Sequence, residues 1–278
     1  MSLISKLLTA TLIASVSLSA AVLTEKELVK YVKRHVVKNP SVKVNSVKIV
    51  ETKQIPELKG WDVLLTNLSI NVEGKDIDIP EMMFVNGDLI TPVLMNHKNG
   101  KNYRNEIHPI VPSDYYDDAH LLMGNKDAKH KILVFSDPQC PFCQELVSDI
   151  FKTFKANPST FALYYYHMPL LRLHPVSDAL TKAMHIAQSQ GKIAEFEKFY
   201  AMKIDYKETN LDKIIPEIKK QTGLEVTKAQ LEDKNLTTAI EFDTQRANKL
   251  MITGTPTIYI DGEWDKNRDG YKKFIPTK

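Results

Sequence analysis

The spacing of hydrophobic positions changes character along the chain, and each change marks an element. The first described pattern is helical: Thr24 is a good N-cap, Glu27 completes a capping box, and Leu23 is placed to staple onto Leu28. A helix of about 14 residues should follow and end before Pro40. Val42, Val44, Val47 and Ile49, then Leu64 to Val72, then Ile77 to Val85 mix apolar and polar residues as half-buried strands do. Glu73-Gly74, Asn86-Gly87 and Asn99-Gly100 punctuate them, and Asn-Gly is a strong hairpin signal. Residues 22–107 are therefore expected to form a small α+β domain, one helix on an antiparallel sheet.

His108-Pro109-Ile110-Val111-Pro112-Ser113 breaks that pattern with two prolines, and Ser113 is placed to cap a short helix through Leu122. This predicts a linker over 108–123 and a second domain over 124–278. Ile132-Leu133-Val134-Phe135 has the length and bounding turns of a buried strand. Phe161 to His167 reads as a second strand, in which Tyr164, Tyr165 and Tyr166 alternate between core and surface. Val176 to about Ile252 is helical in period, with breaks near Gly191, Asn210, Pro216 and Gly223. A third strand, Thr257 to Ile260, ends at Asp261-Gly262. The order strand, helix, strand, helical insert (about 175–252), strand predicts a three-stranded α/β core.

The first residues read as an export signal over 1–21. Lys6 supplies positive charge, Leu7 to Leu18 an apolar stretch, and Ser19-Ala20-Ala21 a small-residue cleavage site. No other apolar run is long enough to span a bilayer as a helix. With 43% hydrophobic and 26% charged residues the composition is that of an ordinary globular protein. A net charge of +3, without a concentrated basic surface, argues against a nucleic-acid binder. Lys30, Lys33, Arg34 and Lys38 do cluster on the first helix, where they read as a solvated face.

Candidate chemistry resides in two cysteines, Cys140 and Cys143, in the run Cys140-Pro141-Phe142-Cys143. As a structural staple, a bridge closing so short a loop would remove only about 2 kcal/mol of unfolded-chain entropy. As half of a zinc site the pair lacks a second cysteine pair, leaving scattered histidines such as His167, His174 and His185. Thiol exchange explains the local sequence better. A strand ending at Ser136-Asp137 feeds a turn at Pro138-Gln139, and a helix begins at Cys140 with Pro141 where its missing N–H costs nothing. The Cys140 sulfur then faces the positive end of the helix, where thiolate, the attacking species, is favoured. Cys143, one turn further in, is placed to attack a mixed disulfide formed at Cys140. Phe142 adds no positive charge to stabilise thiolate further. Asp137 reads as the cap of the turn before the helix, and His174 as a satisfied turn histidine.

A second element completes the picture. Gly254-Thr255-Pro256-Thr257 precedes the third strand, and an X-Pro bond there is able to be cis. The Thr255 backbone would then be placed to pair with an extended client peptide, and its hydroxyl to reach the Cys140 sulfur.

The stretch from Gly124-Asn125-Lys126-Asp127-Ala128 through Phe135-Ser136-Asp137-Pro138-Gln139-Cys140-Pro141-Phe142-Cys143 resembles the entry to the catalytic domain of the bacterial Dsb thioredoxin-like proteins. Residues 135–143 and Gly254-Thr255-Pro256 are most similar to the disulfide isomerases DsbC and DsbG, which have Thr before the cis proline where DsbA-type oxidases usually have Val. Leu173-His174-Pro175 through Gly191-Lys192 resembles the helical insert of DsbA-like domains.

The resemblance implies a thioredoxin-like catalytic domain with a helical insertion, behind a small cystatin-like α+β domain that forms a homodimer. It implies Cys140 as nucleophile, Cys143 as resolving thiol, Pro256 as the cis proline, and tuning by Pro141, Phe142, Thr255 and Pro256. Thr255 and Pro256 would bind the client. The implied setting is the periplasm, with unfolded or misoxidised exported proteins as clients, a membrane redox partner, and neither a metal nor an organic cofactor. Isomerase or reductase is the preferred activity. A DsbA-like oxidase and a periplasmic holdase chaperone are the alternatives.

Overall fold

The structure is a computed structural model that describes residues 23–277; the export signal expected over 1–21 lies outside the described residues. The chain divides into two compact units. One comprises the described residues up to Ile77 together with Met82–Val93, the other Asp78–Glu81 together with the described residues from Leu94 onward.

In the first unit, helix α1 (Glu25–Tyr31) begins with the expected capping box. Glu27 N–H donates to Thr24 Oγ1 at 3.3 Å, and Thr24 N–H donates to Glu27 Oε2 at 2.8 Å. The helix then widens to i→i+5 bonding over Val32–Val36, closed by Val37 N–H donating to the Val32 carbonyl. Strands β1 (Val42–Gln54), β2 (Asp62–Val72), β3 (Lys75–Asn86) and β4 (Leu89–Thr91) follow in an antiparallel sheet whose spatial order is their chain order. Glu73 and Gly74, both at positive φ, make the β2–β3 turn. The β1–β2 register skips Asn45, so Val44 and Val47, three apart, reach the same core as Leu28 and Val32 of α1. This bulge explains why β1 does not alternate strictly in sequence.

The second unit holds a five-stranded sheet in the order β5-β7-β6-β8-β9. Its strands are β5 (Leu121–Gly124), β6 (His130–Ser136), β7 (Phe161–His167), β8 (Thr257–Ile260) and β9 (Glu263–Trp264). β6 and β7 run parallel, and α2 (Pro141–Ala156) makes the crossover between them. β5, β8 and β9 join antiparallel to their neighbours. Helices α3 (Ser177–Ser189), α4 (Ile193–Lys198), α5 (Leu211–Thr222), α6 (Lys228–Leu231) and α7 (Lys234–Lys249) occupy the long stretch between β7 and β8.

Side chains alternate across β6. Ile132 and Val134 pack with α2 and α3 on one face, and Leu133 and Phe135 pack with Val111, Tyr115 and Ala247 on the other. Both faces are therefore covered, and Tyr164, Tyr165 and Tyr166 are all buried; the expected division between core and surface is corrected to two cores.

Three further expectations change. The short helix expected from Ser113 through Leu122 is a single 3-10 turn, Ser113–Tyr115, and Leu121–Gly124 is strand. Val111 N–H donates to the Gly262 carbonyl at 2.9 Å and Tyr115 is buried, so this proline-rich segment is packed into the second unit. Helix α5 runs through Pro216, which lies on its exposed face, so the break expected there does not occur. The expected three-stranded core gains two edge strands, β5 and β9, each too short to carry a period.

Candidate active site

The β6–α2 junction is built by a turn that its own side chains close. Asp137 Oδ1 accepts from the Gln139 N–H at 2.8 Å, Cys140 N–H donates to the Asp137 carbonyl at 3.2 Å, and Gln144 Nε2 donates to the Pro138 carbonyl at 3.0 Å. Cys140 is the N-cap of α2 and Pro141 its first residue, as expected. The Cys140 carbonyl accepts from the backbone of Cys143 at 2.9 Å and of Gln144 at 3.0 Å. Cys140 is 5% exposed, Cys143 is fully buried, and Phe142 between them is 68% exposed. Both cysteines are free thiols.

The two thiols differ sharply in acidity. The Cys143 thiol donates to the Cys140 sulfur and, against the effect of burial, holds Cys140 down to about 5. The Thr255 hydroxyl and the backbone N–H groups of Cys143 and Phe142 add to this, the latter two lying in the first turn of α2, at the positive end of its dipole. Burial pushes the Cys143 thiol up, and its hydrogen bond to Cys140 pushes the same way. The pair is thus a poised thiolate backed by a protonated thiol.

Antiparallel pairing of Phe135 with Thr257 brings the segment before β8 alongside the motif. The Thr255-Pro256 peptide bond is cis, and both residues are buried. Cys140 Sγ lies 3.4 Å from the Thr255 carbonyl oxygen, which accepts from the thiol. All six residues singled out in sequence, Cys140, Pro141, Phe142, Cys143, Thr255 and Pro256, therefore meet at one place.

The structure adds contacts that the sequence does not signal. Asp137, fully buried, accepts from the Leu170 N–H at 2.7 Å, the Ser177 hydroxyl at 2.6 Å and His174 Nδ1 at 3.1 Å, besides Gln139. It ties the motif's turn to the loop after β7. Ser136 Oγ accepts from the Tyr200 hydroxyl at 2.8 Å, and the Tyr200 and Tyr165 hydroxyls are 2.5 Å apart. The three histidines weighed as metal ligands do not converge: His167 and His185 are ring neighbours at 5.6 Å, while His174 is bound to Asp137. Among the described residues no group of three His, Cys, Asp or Glu side chains is set to hold a metal ion.

Residues 117–276 match the family model described as Thioredoxin. "Probable disulfide bond formation protein D" of Bacillus anthracis is 24% identical over 163 residues, covering 55% of this chain and 75% of that protein. Among solved structures, oxidised BdbD from Bacillus subtilis is 19% identical and is matched over 60% of this chain and 92% of that chain, with a TM-score of 0.47. Proteus mirabilis ScsC in a transitional conformation is 22% identical over 58% of this chain and 74% of that chain, with a TM-score of 0.45.

Proposed function

The chain belongs to the thioredoxin family, as a thioredoxin-fold disulfide oxidoreductase with a Cys-x-x-Cys pair, and from that premise we propose that it exchanges disulfides with exported proteins in the isomerase or reductase direction. The observation that carries this reading is the Cys140 sulfur, held as thiolate at the amino end of α2 with the protonated Cys143 thiol behind it. The Cys140 thiolate attacks a client disulfide and forms a mixed disulfide, releasing one client thiolate. Either that client thiolate attacks another client sulfur and frees Cys140, which is isomerisation, or Cys143 attacks Cys140 and releases the client reduced.

Thr255 and Pro256 are assigned to the client's backbone because the Thr255 carbonyl lies beside the reacting sulfur. A protein client is supported by exposed apolar side chains near the motif. Phe142 sits within it, and Leu171 and Leu173 stand on the loop that Asp137 anchors through Leu170. Threonine before the cis proline supports the DsbC/DsbG-like direction. The first unit, with β1 as an edge strand, is assigned to pairing with a second copy, which sedimentation of the whole protein tests. The export signal read over 1–21 supports a periplasmic setting, where a membrane redox partner would keep the pair in its working state.

A specific observation favours a second reading. A Cys140 thiol held down to about 5 makes thiolate a good leaving group and stabilises the reduced pair, which is the property of a disulfide donor. Refolding of scrambled ribonuclease with the protein supplied reduced, beside trapping of the Cys140 and Cys143 redox state in cells, separates the two. Recovery of ribonuclease and a reduced pair support the isomerase. A wholly oxidised pair, inactive on scrambled substrate, overturns it in favour of the oxidase.

A further inference from the structure

Resolution requires Cys143 to carry negative charge inside a core that disfavours it. Burial pushes its thiol up, and the Ser136 hydroxyl and the Asp137 backbone N–H are the groups that pull it back. The Asp137 carboxylate, buried at the motif's turn, is already engaged by Gln139, Leu170, Ser177 and His174. Support for the charge has to come from elsewhere.

Ser136 ends β6 just before the motif's turn, and it is fully buried together with Tyr165 and Tyr200, the last 3% exposed. Tyr200 donates its one proton to Ser136 Oγ at 2.8 Å. The 2.5 Å contact between the tyrosine hydroxyls then takes the Tyr165 proton, which also faces the Ser136 carbonyl at the longer distance of 3.4 Å. Ser136 Oγ, with a lone pair occupied, keeps its own proton to give, and the buried Cys143 thiol shares one core with Tyr165 and Tyr200; Ser136 is the side chain that pulls Cys143 toward the charged form. Hydroxyls arranged head to tail polarise one another, so the terminal donor is stronger than an isolated serine.

We propose that Tyr165, Tyr200 and Ser136 form a buried hydroxyl chain that donates to the Cys143 sulfur as it gains charge, and thereby speeds the resolving step. The inference rests on the thiol-exchange reading of Cys140 and Cys143. In the step, the Cys143 sulfur bonds to Cys140, the Cys140–client disulfide breaks, and the client sulfur leaves with the bonding pair. The Cys143 proton ends on that departing sulfur, so a client thiol is released and a Cys140–Cys143 disulfide formed, with no external oxidant. The chain gives up no proton; it solvates the transient thiolate. Each of the three is a positioning residue.

The test is rapid mixing of the reduced, full-length protein with one equivalent of dithiobisnitrobenzoate, which releases a coloured thiolate twice. The first release reports attack by Cys140, the second resolution by Cys143. Tyr200→Phe and Ser136→Ala are expected to slow the second release about tenfold and to leave the first unchanged. Ser136→Thr, which keeps a hydroxyl, restores it, and Tyr165→Phe, one link further away, has a smaller effect than Tyr200→Phe. A second release as fast in Tyr200→Phe and Ser136→Ala as in the parent, or both releases slowed together, overturns the proposal. Absence of the first release from the parent protein overturns the thiol-exchange reading instead.

Discussion

The Cys140 thiol donates to the carbonyl oxygen of Thr255 at 3.4 Å, while the hydroxyl of the same threonine is buried with no hydrogen-bond partner among the described residues. The two observations belong together. A thiol has a proton to give and uses the carbonyl; a thiolate has none and becomes an acceptor, which is what the hydroxyl lacks. The Thr255 hydroxyl is indeed among the groups that hold Cys140 down, after the Cys143 thiol. One residue thus offers a partner to each protonation state of the nucleophile.

Thr255→Val keeps the shape of the side chain and removes the hydroxyl. The loss of one hydrogen bond to a charged sulfur should raise the Cys140 titration by about one unit. The rate of alkylation by iodoacetamide, followed against pH, reads this directly. A midpoint that stays at the parent value would mean that the hydroxyl and the thiolate do not meet.

The Cys143 thiol is the largest contributor to the acidity of Cys140, so Cys143→Ala should move the alkylation midpoint from about 5 toward the ordinary thiol range. Stability follows the same shift. The folded-state titration of Cys140 lies below its unfolded value of about 8.5, so the unfolded chain binds the extra proton between the two. The reduced protein should therefore gain stability over Cys140→Ser as pH rises from about 5 to about 8.5, and lose that gain as pH falls through about 5. Urea midpoints of the two proteins across that range check it, and a difference independent of pH contradicts it.

Much of this site is legible in the sequence because its parts are local. A Cys-x-x-Cys pair at a strand-to-helix turn specifies its own geometry, and β7 and β8 fall at Phe161–His167 and Thr257–Ile260, where short apolar runs are bounded by turn residues. What stays hidden depends on distance or on neighbours. Tyr200 lies 64 residues from Ser136, in the helical insert, and nothing in its local sequence distinguishes it from a packing tyrosine. Leu121 and Leu122 read as the end of a helix after Ser113 because the four-residue strand Leu121–Gly124 has no period of its own; it is a strand through its pairing with β7. Asp137 reads as a turn cap, and it is one, but its bonds to Leu170, His174 and Ser177 involve residues brought close by the parallel β6–β7 pair.

Those bonds lead to a prediction about Asp137→Asn. Each carboxylate oxygen accepts from two donors: Gln139 and Ser177 on one, Leu170 and His174 on the other. An amide has the same outline, but its NH2 end would face two donors. Whichever way the side chain turns, buried donors lose their acceptor, at a cost of about 2–3 kcal/mol. Chemical denaturation of the reduced protein should show that loss, along with faster amide exchange at Leu170. A variant as stable as the parent would show that the two donors facing the amide NH2 find other acceptors.

Gly124 supplies the sharpest contrast between two substitutions of one kind. It has φ +85°, and a Cβ built on it would stand 2.1 Å from the Phe161 carbonyl oxygen, a backbone atom held in the β5–β7 pairing. Gly100, in the same unit, has φ +72° and nothing within 4 Å of the corresponding position. Gly100→Ala therefore costs only the left-handed backbone penalty, about 1–2 kcal/mol. Gly124→Ala bears the same penalty and must also push β5 away from β7, adding about 1–3 kcal/mol of overpacking. Comparison of the two variants by urea denaturation isolates the second cost, because the backbone strain is common to both. Equal destabilisation would mean that β5 shifts freely. A larger loss in Gly124→Ala, with the alkylation midpoint of Cys140 unmoved, would show that β5 is held by close backbone approach and that the active-site turn is independent of it.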